Sequence, residues 1–308
     1  MISGKEIPAS GGKDAGSPRF LSLLRALRPH QWLKNLLIFV PAVLAHEFLD
    51  PSVVIRSVLA FVSFSLVASA GYLLNDILDR EADRAHPVKR MRPFASGELP
   101  VRTGVVVIPA LVILAAVVAA PLPRAFLGAL ALYLLTTSAY SLLLKRAALI
   151  DVLVLGGLYT LRIIAGGAAT EIPLSFWLLA FSMFLFLSLG LVKRYSELAN
   201  LKAQGAAHSP RRGYSSGDLG ALAQFGISSA YLSVLVLALY INSDSVSELY
   251  SNPQVLWLLC PLLLYLLSRV WLLAGRGEVL EDPLVFLLED RRTLLLTGFM
   301  GILLWLAS

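Results

Sequence analysis

Asn75, Asp76, Asp79 and Asp83 stand at offsets 0, 1, 4 and 8 in the stretch 71-GYLLNDILDREADRAHPVKRMRPFASGELP-100. At about 100° per helical residue they fall near 0°, 100°, 40° and 80°, so three carboxylates and an amide share one quadrant. Like charges gathered beside an apolar span repel one another unless a cation joins them. Hard oxygen donors suit Mg²⁺, which keeps waters and bridges to phosphate. The spacing therefore points to a magnesium–diphosphate site with Asp76, Asp79 and Asp83 as metal ligands and Asn75 beside them. A solvated helix end whose acids pair with Arg80, Arg84, Lys89 and Arg90 is the plainer account; the single-quadrant spacing next to a span favours the metal.

The elements that must position this cluster are set by composition. Of 308 residues, 57% are hydrophobic and 15% charged, with a mean hydropathy of +0.75. That excludes a soluble enzyme, and long runs rich in Leu and Ala exclude the alternating pattern of a membrane β-barrel. Apolar stretches at 33–49, 53–76, 103–121, 124–144, 149–170, 174–192, 218–241, 253–273 and 288–307 predict an all-α membrane bundle of about nine transmembrane helices. Residues 1–27 read as a disordered cytoplasmic tail and 28–308 as a single transmembrane domain. With the N-terminus inside, 23 of the 26 Lys and Arg residues fall on the cytoplasmic side, leaving Arg56, Arg124 and Arg162 elsewhere. The charge of +6 is thus mostly topology, and no nucleic-acid partner is expected. The expected location is the inner (cytoplasmic) membrane, with membrane lipid around the bundle and homo-oligomer formation left open. Two cytoplasmic loops are long, 77–102 and 193–217, and function is expected there.

The N-D-x-x-D-x-x-x-D run at the end of the second span, followed by R-P-x-x-S-G (Arg92, Pro93, Ser96, Gly97), resembles the first aspartate motif of the UbiA superfamily of intramembrane prenyltransferases. The resemblance covers nearly the whole chain. It implies a helical bundle around a central cavity, Mg²⁺ and diphosphate at the cytoplasmic mouth, and a lateral opening for lipid. Typical members carry a second acidic motif after the sixth helix, where this chain has 193-KRYSELANLK-202. Lys193, Arg194 and Tyr195 present two cations and a phenol, which bind phosphate directly. That segment, 28-RPHQWLKN-35 and 140-YSLLLKRAALIDVLVLGGLYTLRIIAGGAA-169 resemble the subgroup typified by decaprenyl-phosphate phosphoribosyltransferase. The subgroup implies transfer of phosphoribose from 5-phosphoribosyl 1-diphosphate to a polyprenyl phosphate.

On this reading Asp76, Asp79 and Asp83 hold Mg²⁺ on the donor diphosphate, with Asn75 and Asp151 as nearby polar ligands. Lys89, Arg90 and Arg92 neutralise leaving-group charge, and Lys193 and Arg194 hold the polyprenyl phosphate. Gln31 and Lys34 are placed to reach a phosphate or ribose hydroxyl, although Lys34 also fits a membrane anchor beside Trp32. Arg162 lies deep in a span, where a charge defaults to function; a structural pair or a snorkelling side chain fits too. Asp151 and Arg162 are eleven residues apart and share a helix face. Lys145 and Arg146 read as topology markers, with a ligand role as the alternative. His30, His46, His86 and His208 lack metal-ligand spacing, and Cys260 has no disulfide partner. Gly156/Gly157 and Gly166/Gly167 follow no strand, so close helix packing accounts for them better than a phosphate loop. Two other functions fit the same residues: prenyl transfer from a prenyl diphosphate to an aromatic acid, and a membrane transporter using the acidic face for cations.

Overall fold

The computed structural model describes residues 17–86, 88–203, 213–243, 246, 249–279 and 283–308. The regular elements among them are helical. Helix α1 (Ser17–Leu27) leads into a 3₁₀ helix (Pro29–Phe39) and α2 (Val40–Leu44). Then come α3 (Pro51–Leu78), α4 (Arg80–Ala85), α5 (Pro93–Ser96), α6 (Val101–Ala119), α7 (Arg124–Leu142) and α8 (Ile150–Thr170). The chain ends with α9 (Phe176–Ala203), α10 (Leu219–Ile241), α11 (Leu259–Gly275), α12 (Pro283–Glu289) and α13 (Arg291–Ala307).

Seven segments among the described residues are long and apolar enough to cross a membrane: α3, α6, α7, α8, α9, and α10 and α11 with the 3₁₀ turns that precede them. The two remaining expected spans are shorter or broken. The stretch expected at 33–49 is the 3₁₀ helix plus α2. A 3₁₀ helix rises about 2 Å per residue, so residues 29–44 still extend about 30 Å, close to a bilayer's hydrocarbon thickness. The stretch expected at 288–307 is divided between α12 and α13, with the Asp290 side chain capping α13 at Thr293 N–H.

The expected disordered tail is corrected over its described part. Ser17–Leu27 is helical because Ser22, Leu23 and Ala26 fall on one side of it. Ser22 and Ala26 are buried, and Leu23 packs beside Leu73, Phe94 and Leu99. Residues 1–16, with Lys5 and Lys13, and His208 in the second long loop lie outside the described residues.

One apolar core joins α3, α6, α7 and α8, and a second joins α8 to α11. Helix α8 belongs to both, and its glycines permit this. A Cβ on Gly166 would stand 2.1 Å from the Ile38 carbonyl oxygen, and one on Gly156 would stand 3.3 Å from the Leu187 backbone nitrogen. The packing role expected of these glycines is seen at both positions. The 3₁₀ segment lies antiparallel along α3. Arg28 reaches Asp76, Trp32 Nε1 donates to Ser69 Oγ at 3.0 Å, and Asn35 Nδ2 donates to Ser65 Oγ at 2.9 Å.

Candidate active site

Helix α3 runs without a break through Asn75 and Asp76 and stops at Asp79, whose φ of −92° and ψ of 2° leave the helix before α4 restarts at Arg80. The continuous helix assumed for the one-quadrant spacing is thus interrupted, and the acids are gathered instead by cations from three other elements. Arg28 donates to both Asp76 oxygens, at 2.7 and 3.0 Å. Arg92 donates to Asp76 at 3.2 Å and to Asp83 at 2.7 Å. Lys145 donates to Asp79 at 2.8 and 2.9 Å and to Asn75 Oδ1 at 3.1 Å. Asp76 is 1% exposed; buried carboxylates need such partners to remain ionised. Arg28 takes a left-handed conformation, φ 53°, which a non-glycine residue adopts at a cost and which the Asp76 pair offsets.

Carboxylate and amide oxygens are the donors Mg²⁺ prefers. Among the described residues, however, no three His, Cys, Asp or Glu side chains converge into a metal-binding group. Asp76 has both oxygens engaged by arginine. Asp79, paired with Lys145, is 19% exposed at the side chain, and Asp83 pairs with Arg92 through Oδ2, so a phosphate-bound metal could compete for them. The donor chemistry fits the ion, with Asp79 and Asp83 the better placed of the three.

A second network surrounds Arg194, which is 2% exposed on α9. Its Nε donates to Asp151 and one terminal nitrogen to Glu197; the other donates to Tyr140 Oη at 2.9 Å. Tyr214 Oη donates to Asp151 Oδ1 at 2.6 Å and accepts from Leu149 N–H at 2.7 Å. Gly213, at φ 66°, lies so close to the Arg146 carbonyl that an added Cβ would stand 3.1 Å away, and this tight approach returns Tyr214 to the start of α8. Burial, and the Asp151 carboxylate to which it donates, hold the Tyr214 phenol well above its usual range. It therefore stays a donor at neutral pH. The 140–151 connection belongs to both networks, giving Lys145 to the acids, and Tyr140 and Asp151 to Arg194.

A third group lies deeper. Arg162 donates to Asn35, Tyr133 and the Leu158 carbonyl. Lys34 is buried with its ammonium 5.8 Å from the Tyr159 ring. Asp151 and Arg162, expected on one helix face, serve different networks.

The other expected site residues are more peripheral. Gln31 is half-buried, Lys89 and Arg90 are exposed on a short 3₁₀ turn, and Lys193 is half-buried on α9. Tyr195 meets Trp271 edge-on, 5.8 Å between ring centres. Sequence reading left Arg28, Lys145, Tyr140 and Tyr214 outside the site, with Lys145 read as a topology marker; the structure joins Lys145 to Asp79. Arg28 carried a usable signal, since it opens the R-P-x-Q-W-x-K-N run. Tyr214 carried none, because its role depends on a contact with Asp151, 63 residues away in the chain.

Comparison with known proteins agrees with this architecture. The model of the UbiA prenyltransferase family matches residues 36–288. The chain is 40% identical over 272 residues to the uncharacterized protein y4nM of Sinorhizobium fredii, covering 87% of this chain but only 52% of that protein. It is 36% identical over 278 residues to the nodulation protein NoeC of Azorhizobium caulinodans, covering 89% of each. It is 38% identical over 200 residues to the decaprenyl-phosphate phosphoribosyltransferase of Mycolicibacterium smegmatis, covering 62% of each. The matched region thus spans about half of the first relative and under two thirds of the third. Among solved structures, a UbiA homolog from Archaeoglobus fulgidus bound to DMAPP and Mg²⁺ superposes with a TM-score of 0.67 at 20% identity, over 92% of this chain and 96% of that one. At that identity the likeness establishes the fold. This multi-helix integral membrane protein belongs to the UbiA prenyltransferase family.

Proposed function

We propose that this membrane-bound transferase moves 5-phosphoribose from 5-phosphoribosyl 1-diphosphate to a polyprenyl phosphate, at a site opening to the cytoplasm. The observation that carries the reading is the Asp76/Asp79/Asp83 cluster bounded by Arg28, Arg92 and Lys145. Acids and cations interleaved in this way suit a metal-bound diphosphate, whose oxygens draw the cations while its metal draws the acids. The choice of a ribosyl donor is supported by Lys193 standing where a second acidic motif would begin, with the neighbouring Arg194 turned inward onto Asp151 and Glu197, and by the 38% identity to a protein named as a decaprenyl-phosphate phosphoribosyltransferase. The Mg²⁺ seen in the Archaeoglobus structure supports the same cofactor here, held by Asp79 and Asp83.

Bound there, Mg²⁺ supplies neutralisation of charge on the departing diphosphate. Lys145 and Arg92 turn from their carboxylates toward diphosphate oxygens, while Arg28 keeps Asp76 fixed. The C1–oxygen bond of the donor breaks with its electron pair leaving on diphosphate. A polyprenyl phosphate oxygen supplies the pair for the new bond to C1. That oxygen is already ionised near neutral pH, so no general base is needed. The Arg194–Asp151–Tyr214 network positions the start of α8, and Lys193, half-buried beside it on α9, supplies an ammonium for the lipid phosphate. The excess of Lys and Arg on one side supports a cytoplasmic mouth and an inner-membrane location.

The test is turnover by purified protein given labelled 5-phosphoribosyl 1-diphosphate, a polyprenyl phosphate and Mg²⁺. A lipid-linked phosphoribose is the expected product. Its absence, with prenylation of an aromatic acid from a prenyl diphosphate, would replace ribosyl transfer by the commoner family chemistry.

A further inference from the structure

Arg162 differs from the other buried charges. Asp76, Asp79, Asp83 and Asp151 each meet a cation. Arg162, 4% exposed in the middle of α8, donates to three neutral acceptors: Asn35 Oδ1 at 2.8 Å, Leu158 O at 2.6 Å and Tyr133 Oη at 2.9 Å. Among the described residues no carboxylate stands within ion-pair distance of it. The Tyr133 and Tyr159 rings lie 4.8 and 5.7 Å from its guanidinium carbon. Cation–π attraction offsets only part of the cost of burying a charge in a bundle within a bilayer. Lys34, 7% exposed, adds a second cation beside the same Tyr159 ring.

The chemistry left at this place is that of an anion site. A guanidinium carries five N–H donors, so three bonds leave two for a ligand. Tyr133 accepts from Arg162, which leaves its own hydroxyl proton to donate. Asn35, anchored to Ser65 at 2.9 Å, holds Arg162 Nε and fixes the plane of the fork. Depth separates this group from the aspartates. Asp151 and Arg162 are eleven positions apart along α8, and Ser65 and Asp76 eleven apart along α3, about 16 Å of axial rise in each case.

We propose that Arg162, with Lys34 and Tyr133, binds a phosphate monoester of a substrate inside the bundle, at a site separate from the diphosphate site of the aspartates. Two cations match a dianion better than a single carboxylate does, and the guanidinium fork suits phosphate oxygens. The proposal rests on the ribosyl-transfer reading, in which each substrate brings one monoester: the 5-phosphate of the pentose, or the terminal phosphate of the polyprenol.

The test is ligand-induced thermal stabilisation of the full chain in nanodiscs without Mg²⁺, which keeps the aspartates from contributing. The probes are ribose 5-phosphate, farnesyl phosphate and 4-hydroxybenzoate. One of the two phosphates is expected to stabilise the wild type, and which one does so identifies the source. Arg162→Gln should weaken that binding about tenfold or more, the loss expected for charge-assisted bonds, while Arg162→Lys retains part of it. If Arg162→Gln does not fold, Tyr133→Phe keeps the ring and should still raise the half-saturating ligand concentration several-fold. The proposal is overturned if neither phosphate stabilises the wild type, if the folded variants bind as the wild type does, or if only the carboxylate probe depends on Arg162. Turnover is scored separately, so Arg162-dependent phosphate binding without lipid-linked phosphoribose would sink the transfer reading and leave this site standing.

Discussion

Lys145 holds Asp79 by both carboxylate oxygens, at 2.8 and 2.9 Å, and so fastens the connection between α7 and α8 to the point where α3 ends. The ammonium also reaches Asn75, so one side chain covers two of the four residues that open the acidic motif. On the proposed reading, a cation so placed is a counter-charge for the acids while the site is empty and a diphosphate ligand once it is filled.

Lys145→Met should therefore remove most turnover while leaving a folded protein. Lys145 is 9% and Asp79 19% exposed at the side chain, so Asp79 regains water and the stability loss should stay near 1–3 kcal/mol. Lys145→Arg should restore part of the activity. Turnover equal to wild type in Lys145→Met would remove the residue from the diphosphate site.

The acids should separate by role. Asp76→Asn leaves Arg28 and Arg92 facing a neutral amide; both guanidiniums are partly exposed and Arg92 keeps Asp83, so the loss should be about 1–3 kcal/mol. Its unfolding temperature should fall clearly. Asp79→Asn should keep the fold and lose Mg²⁺-dependent activity. Thermal unfolding and a Mg²⁺ titration of turnover, run on both variants, check the division; equal instability with equal residual metal response would refute it.

What sequence alone makes legible follows the range of the interactions. Asp76, Asp79 and Asp83 are readable because their spacing and neighbouring span are local, and the helical bundle is readable from runs of apolar residues. Lys145 and Tyr214 are not, since each acts across more than sixty residues of chain. The 3₁₀ course of Pro29–Phe39 is hidden as well. Its composition suits an α-helix, and the Gly166 contact with Ile38 shows how closely its backbone must fit α8.

The 77–102 loop should loosen in mild acid. His86 Nδ1 accepts from Val88 N–H at 3.2 Å and Lys89 N–H at 3.3 Å, which requires an unprotonated nitrogen. Burial, then the Lys89 charge, hold its imidazole below the usual range. With the folded value below the unfolded one, about 6.5, the unfolded chain takes up the proton first. The contribution is complete above about pH 6.5 and declines as pH falls from there toward the folded value. Amide exchange at Val88 and Lys89, corrected for intrinsic rates, should rise across that window. His86→Asn, which offers a non-titrating acceptor, should flatten the response; an unchanged slope would place its origin elsewhere.

Arg194 and Asp151 offer the sharpest energetic test of a positioning network. Both side chains are at most 1% exposed, and Tyr140, Glu197 and Tyr214 complete their hydrogen bonding. Arg194→Gln alone strands Asp151, and Asp151→Asn alone strands a guanidinium, so each should cost about 3–5 kcal/mol. In the double variant neither charge remains, and the summed losses should exceed the observed one by about 1–3 kcal/mol, a coupling read from a double-mutant cycle. Tyr214→Phe, which deletes one donor, should cost about 1–2 kcal/mol and lower kcat more than it raises KM, because it shifts Asp151 without removing a substrate contact. Strict additivity of the two charge substitutions would mean that the pair is not what fixes α9 against α8. A KM effect alone in Tyr214→Phe would instead move Tyr214 into direct contact with substrate.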